Sequence, residues 1–592
     1  MEEPDVEKNG TVVSGQGLED KRFIETAAGR RKADLVIHNA RVVDVFNHAV
    51  AEGSVALCGN RIAGVGIYEG KIEIDADGKY VLPGLIDSHV HIESSLVGPE
   101  SFAKAVLPHG TTTIIADPHE IGNVCGKNGV DYMLRASEHI PLNMFFMLPS
   151  CVPATPYEHS GAVLGAADLK EFIHHPRVLG LGEVMNYEGT VFCAADVMEK
   201  IDMVRAAGKR IDGHCPMCSG SSLTAYAAAG IRTDHECSTP EELKDRLARG
   251  MYVQLRQGSA ARELRTLLGG VTPQNSRRCL FCTDDRQPED ILSEGHIDNH
   301  LRIAVESGMD PVTAIQMATL NAAECYGLDN LGAIAPGYRA DLVLVDDLKQ
   351  FRVSSVFVGG EQVVKEGVLQ TDIPVTDSST MRNTVHVGLF TRDSLTLSLS
   401  SDHAHVIRIV PQSLITEHVT RRVFPDAQSR FVCTPDLIKI AVVERHSKTG
   451  NAGLGIIENY GLRNGAIATS IAHDSHNIIV AGDNDEDMVS AVEEIIRMNG
   501  GIALCSSGKL LDSLELPIAG LMSDRDAGYV SERLRNMHHI AYDLLRVNQD
   551  IDPFTTLSFM ALPVIPALKI TDRGLFDVQE CAFINISLQG RG

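Results

Sequence analysis

The segment Pro83–Ser95 reads PGLIDSHVHIESS. An apolar run, YVLPGLI, leads into two histidines, His89 and His91, separated by one valine. On a β-strand, residues i and i+2 point to the same side, so both imidazoles face one way and Val90 faces the other. A single HxH pair is weak evidence for a metal. The polar residues further along the chain decide the reading.

From residue 81 to about 325 the chain repeats one rhythm: a short apolar or β-branched run ending in polar residues, then a helical stretch. The runs are YVLPGLIDSHVH, TTTIIADPH, NMFFMLPSC, VLGLGEVMN, KRIDGHCP, GIRTDHE, MYVQLRQG and CLFCTDD. AADVMEKIDMVRAAG and TPEELKDRLARG read as helices between them, the second with Pro240 near its first turn. Eight such units predict a (β/α)8 barrel whose active site lies at the C-terminal ends of the strands. Those ends carry His89 and His91 on strand one, Asp117, His119 and Glu120 after strand two, Glu183 on strand four, His214 on strand five, His235 on strand six and Asp284 on strand eight. A lone strand-end carboxylate is more often a helix cap than a ligand. Four imidazoles and two carboxylates (His89, His91, Glu183, His214, His235 and Asp284) at one barrel mouth suit a divalent metal, and burying them without a cation would cost much desolvation energy.

On either side of the barrel the pattern differs. Residues 33–80 and 326–375 alternate short Val/Ile runs with Asn, Gly and Asp turns, which predicts one small split β-sandwich domain with the barrel inserted in it. Residues 1–32 open with a polar, aperiodic stretch and read as a flexible or weakly docked extension. After the linker TDIPVTDSSTMRN, residues 385–592 read as a further α/β domain. Its strands include HVIRIV, LIKIAVVER, AIATSIA and HNIIVAG, and its main helix NDEDMVSAVEEIIRMNGG is stopped by glycine.

The chain has 592 residues, with 53 basic and 78 acidic side chains and a net charge of −25. That balance disfavours nucleic acid or an anionic membrane as partner, since both need basic patches; a free nucleobase carries no phosphate and stays open as a substrate. No secretory leader pattern or long apolar run is evident, and the 13 cysteines are an odd number, so a reducing cytoplasm is expected. The CPMC and CLFC pairs lie about 60 residues apart, too far for a zinc ribbon. HDSHN, His473–Asn477, reads as a polar loop, one that closes over the barrel mouth or meets a neighbouring subunit, more readily than as a second metal site. GNAGLG at 450–455 lacks the acidic partner of a nucleotide-binding turn.

PGLIDSHVH, with the strand-five and strand-six histidines and the strand-eight aspartate, resembles the amidohydrolase superfamily. HVHIESS, IIADPHEIGNV, GLGEVMN, RTDHECST, AIATSIAHDSHNIIVAGDN and LPVIPALKITDRGLFDV narrow the resemblance to the bacterial adenine deaminases, from about residue 33 to the end. The resemblance implies a binuclear centre: His89, His91, Glu183 and Asp284 on one ion, Glu183, His214 and His235 on the other. Glu183 stands where many relatives bridge their metals with a carboxylated lysine. Ferrous iron or manganese is implied, with zinc served equally by these ligands.

The implied reaction turns adenine and water into hypoxanthine and ammonia, for purine salvage, with Asp284 as proton shuttle. Strand five lacks the glutamate that protonates the ring in related deaminases. Glu120 is the first candidate for that acid and Glu236 the second, although as the neighbour of His235 on a strand Glu236 should point away. Ser94, Ser95, Asp117, His119 and Asp285 complete the expected substrate contacts, with Asp117 and His119 also able to orient ligands. A homo-oligomer is expected. The competing activity is an amidohydrolase opening a cyclic amide or amidine, or an N-acyl bond.

Overall fold

The computed structural model describes residues 15–411 and 413–588. Eight parallel strands form a ring in chain order: β1 Leu85–Val90, β2 Thr111–Ala116, β3 Asn143–Leu148, β4 Val178–Val184, β5 Arg210–Gly213, β6 Thr233–Asp234, β7 Tyr252–Arg256 and β8 Cys279–Cys282. β1 to β5 pair in sequence, as do β6 to β8. The ring closes at two seams. Arg232 N–H donates to the Ile211 carbonyl (2.9 Å) between β5 and β6, and Asp284 N–H donates to the His89 carbonyl (3.0 Å) between β8 and β1. All eight strands read from the sequence are present. Their near-continuous burial is what a parallel sheet covered by helices demands.

The helices between them start as their sequences dictate. In Pro240–Ala248, Thr239 accepts the Glu242 N–H, and Glu242 reaches back to the Thr239 N–H. The strands flanking the barrel join into one nine-stranded sheet. Tyr80–Pro83 pairs antiparallel with Leu342–Val345, which brings the two arms of the chain together immediately before the barrel begins. Ile37, Val55, Leu57, Val81, Leu342 and Phe357 share its core.

Of the two expectations for residues 1–32, the docked extension is the one seen from Gly15 onward. Residues 1–14 lie outside the described residues, but Gly15–Ala27 is a helix, not a loose arm. Phe23 and Ala27 pack on the small sheet beside Ala33, Val36 and Tyr68, and the Arg61 guanidinium lies 4.1 Å over the Phe23 ring.

The C-terminal region builds an eight-stranded sheet that includes His403–Ile409, Leu437–Val443, Ala466–Thr469 and Ile478–Gly482. Helix Asp485–Met498 packs across it through Met488, Val492 and Ile495. Asn499, in the left-handed region at φ 63°, ends that helix one residue before the glycines credited with the stop. This region docks on the barrel mouth. Ser523 N–H donates to the Leu96 carbonyl (2.7 Å), and Leu96 and Val97 share a buried cluster with Ile518 and Leu521. The Thr571 hydroxyl donates to the Tyr157 carbonyl (2.9 Å), and Asn477 Nδ2 to the His159 carbonyl (2.8 Å).

Candidate active site

Strand alternation puts His89 and His91 on the mouth side of β1, and backbone hydrogen bonds to Asp284 pin this end of the strand: His91 N–H donates to its carbonyl at 3.1 Å. Asp87, fully buried, accepts the Thr283 N–H (3.1 Å) and the Thr283 hydroxyl, so β1 and β8 are held in register by side chains as well. Asp284 is then delivered with its carboxylate between the two histidines. Its Oδ1 lies 3.3 Å from His89 Nε2 and 3.2 Å from His91 Nε2.

Glu183 occupies the centre, and its two oxygens face different neighbours. Oε1 lies 3.2 Å from His91 Nε2 and 4.0 Å from His89 Nε2. Oε2 lies 2.8 Å from His214 Nδ1 and 3.2 Å from His235 Nε2. All six residues are buried. His89 Nε2 and Asp284 Oδ1 are among the buried atoms with no hydrogen-bond partner. Buried polar atoms left unpaired are costly, and unpaired lone pairs converging from imidazole and carboxylate are the donor set of a divalent cation. The residues fit a metal; His89, His91 and Asp284 form one possible ligand group, and His89, Glu183 and His235 another.

The surrounding contacts fix the orientation of these groups. His91 Nδ1–H donates to the Asp117 carbonyl (2.9 Å), which leaves Nε2 for the centre. Asp117 Oδ2 accepts the Glu183 N–H (3.0 Å). Asp117 is therefore turned into the wall beneath Glu183, not toward substrate space. His119 stands closer in than expected, with Nδ1 3.3 Å from Glu183 Oε1. Ser95 turns back to donate to the Ile92 carbonyl (2.6 Å) and so leaves the expected set of substrate contacts. Glu93 is buried against the Ile121 N–H (3.2 Å), its carboxyl pushed up to about 7 by burial and by Glu120. Of Glu93, Ser94 and Ser95, Ser94 alone reaches open space, in an adjoining cavity lined also by Asp285, His473 and Phe559, where its hydroxyl donates to Asp285. Burial and the neighbouring Asp284 raise the Asp285 carboxyl to about 6.

Glu236 departs from its expected position. It lines the cavity with Oε1 3.5 Å from His235 Nε2 and 3.7 Å from His214 Nδ1. The cause is the brevity of β6, which ends at Asp234; alternation does not extend to residues 235 and 236. Asp234 accepts the Glu236 N–H (3.0 Å), which turns the chain inward. Arg256, at the end of β7, was not anticipated. It ion-pairs with Glu236 and with Asp284 Oδ2 (2.9 Å). Burial disfavours the Glu236 charge, but Arg256, His214 and His235 together outweigh it and keep the carboxyl below its ordinary range. Arg256 was legible as one more polar strand end, had strand seven been read like the others.

Glu120 lines the cavity near His91 and His119, and its carboxylate is held by the C-terminal region. Its Oε1 lies 2.9 Å from His473 Nδ1 and its Oε2 3.3 Å from His476 Nε2, both on the C-terminal HDSHN loop. Burial works against its charge, yet the two imidazoles hold it well below the usual carboxylate range. A carboxylate so held is disfavoured as a proton donor. The loop itself lies over the barrel mouth. With Leu414, Phe559, Leu562 and Ile565, it roofs a cavity floored by His91, Glu183, His214, His235 and Asp284.

A closed barrel with histidines and carboxylates converging at its C-terminal mouth defines a metal-dependent hydrolase of the amidohydrolase type, and residues 80–363 match the amidohydrolase family. Residues 413–582 match the adenine deaminase C-terminal domain. The chain is 55% identical to the adenine deaminase of Nitratidesulfovibrio vulgaris (strain DP4) over 96% of its own length and 98% of the relative's. It is 52% identical to adenine deaminase 2 of Desulfotalea psychrophila, over 96% and 99% of the two chains. With the adenine deaminase of Clostridium acetobutylicum the identity is 49%, over 96% and 100%. The chain belongs to the adenine deaminase family.

Proposed function

We propose that this centre hydrolyses adenine to hypoxanthine and ammonia, in purine salvage. The observation that carries the reading is the junction of the two matched regions: a histidine–carboxylate floor in the amidohydrolase barrel and a roof from the adenine deaminase C-terminal domain enclose one cavity. The partners in this reading are adenine and water. No helix among the described residues is long and apolar enough to cross a membrane.

The centre is read as binuclear. His89, His91 and Asp284 would hold one ion and His214 and His235 the other, with Glu183 between them; the opposite facing of its two oxygens supports this division. Iron(II) or manganese(II) is favoured, and zinc(II) suits the same donors. Ions there would lower the pKa of a water so that hydroxide is available near neutral pH. Asp284, buried beside both β1 histidines, takes the proton released and returns it to the amine leaving C6. Arg256 steadies the other oxygen of Asp284, and Asp117 holds Glu183 through its backbone.

The test is anaerobic purification, reconstitution with iron, manganese or zinc, and measurement of ammonia and hypoxanthine from adenine. Turnover with two ions per chain is expected. No turnover from the fully loaded protein under any of the three metals would overturn the reading.

A further inference from the structure

Neither barrel carboxylate expected as the ring acid, Glu120 or Glu236, stands free in the cavity. Glu120 is turned to the His473 and His476 imidazoles and Glu236 is ion-paired with Arg256, which does not give up its proton. The roof offers a different group. His473 lines the cavity opposite Asp284 and Glu183, stacked on Phe559 with ring centroids 4.3 Å apart. Its Nδ1 faces Glu120 at 2.9 Å, which leaves Nε2 for the cavity. This is the carboxylate–imidazole arrangement in which one nitrogen is anchored and the other presented.

The loop carrying His473 is built to hold one position. His473 N–H donates to the Ser558 carbonyl (3.2 Å). The His446 ring donates from Nε2 to the Ser475 carbonyl (2.7 Å), and the fully buried Arg445 donates to the His476 carbonyl from behind. His476 accepts the Ala472 N–H at Nδ1 (3.3 Å), so its Nε2 carries the hydrogen that faces Glu120. These three could also meet at an ion, but a ligating His476 Nε2 would need the lone pair that the hydrogen occupies, and this tautomer favours a proton-holding triad.

We propose that His473, supplied by the C-terminal domain and oriented by Glu120, is the catalytic acid that donates from Nε2 to N1 of the purine. This rests on the adenine-deaminating reading above. As the hydroxide oxygen bonds to C6, the Nε2–H bond breaks and an N1–H bond forms, so negative charge does not accumulate on the ring. The hydrogen on N1 stays in hypoxanthine. When the C6–N6 bond breaks and C6=O forms, the hydroxyl proton is released and restores His473. One water thus supplies both the N1 hydrogen and the third hydrogen of ammonia. His473 is surrounded by Glu120, Asp474, Asp285 and His476, with Glu158 behind Asp474; burial opposes its charge, but Glu120 and Asp285 prevail and raise it to about 9. Glu120 is a positioning residue.

The test uses the full, metal-loaded chain. His473→Asn should lower kcat per bound metal pair by about 10²-fold or more. Calorimetry with purine and with 1-deazapurine, whose N1 is a C–H, gives a second readout. The wild type should prefer purine about tenfold, a hydrogen bond's worth, and H473N should bind the two alike. Glu120→Gln should move the alkaline limb of the kcat profile to lower pH, since the carboxylate that raises His473 is gone. If wild type deaminates and H473N matches it per bound metal, or if purine preference survives in H473N, the inference fails while the adenine reading stands. Loss of metal from H473N with undiminished kcat per remaining metal pair also overturns it, by making the loop structural. If wild type does not deaminate, the adenine reading itself fails.

Discussion

Glu183 has its geometry set by a neighbour that touches no substrate. Asp117 fits under the strand only because residue 182 is glycine: a Cβ there would stand 1.9 Å from Asp117 Oδ2 and 2.5 Å from its Cγ. Asp117 is fully buried and cannot step aside without releasing the Glu183 N–H. Gly182→Ala should therefore weaken metal binding about 10- to 100-fold, the usual size of an effect on the groups that orient ligands. Metal titration of the folded variant checks it, and unchanged affinity would show that Asp117 does not steer Glu183. Asp284 supports a second expectation. Asp284→Asn keeps an oxygen toward His89 and His91 but cannot accept a proton, so kcat should fall about 10²- to 10⁴-fold with the protein still folded. A metal-loaded D284N with wild-type kcat would remove Asp284 from proton transfer.

At the scale of elements, strand ends place the chemistry, and their lengths decide which residues were legible. His89 and His91 could be read correctly because β1 runs to Val90 and the hydrogen bond from His91 N–H to the Asp284 carbonyl carries the alternation one residue further. Glu236 could not, because β6 is two residues long and the rule was carried past it. The strand Leu568–Thr571 makes a related point through Lys569, which is fully buried and donates to the Leu414 (2.9 Å) and Phe559 (3.0 Å) carbonyls. Those two residues roof the cavity, so the lysine ties the roof together. Burial drives its amine down to about 7. Between that value and the ordinary 10.5 the unfolded chain binds the extra proton, so stability rises with pH over this window and the benefit is lost as pH falls toward 7. Lys569→Met should remove a few kcal/mol of that pH dependence, each pKa unit being worth about 1.4 kcal/mol. Denaturant unfolding of both proteins at pH 7 and 9.5 measures it; equal pH dependence in the two would mean that Lys569 is charged in the fold.

The whole molecule joins two regions whose sequences differ in how plainly they declare function. The barrel announces itself through eight repeated strand ends. The C-terminal region carries its contribution in one loop, HDSHN, whose residues look like any polar turn until the fold lays them over the mouth against Glu120, about 350 residues earlier in sequence. Such a pairing has no local period, so it could be offered only as one use of the loop among others. The same long-range closure has a consequence for stability. The floor crowds His89, His91, His119, His214 and His235 around Glu183 and Asp284, with His89 Nε2, His119 Nδ1 and Asp284 Oδ1 unpaired. Without ions the fold bears that desolvation; with them, binding to the native state alone stabilises it by about 4 kcal/mol at a thousandfold excess over Kd. Because Leu96 and Val97 of the barrel share a core with Ile518 and Leu521, the gain should reach the C-terminal region too. Chelation should lower the unfolding temperature by several degrees, with barrel and C-terminal probes shifting together and manganese or iron restoring both. A shift confined to barrel probes would mean that the roof rests on the mouth without depending on it.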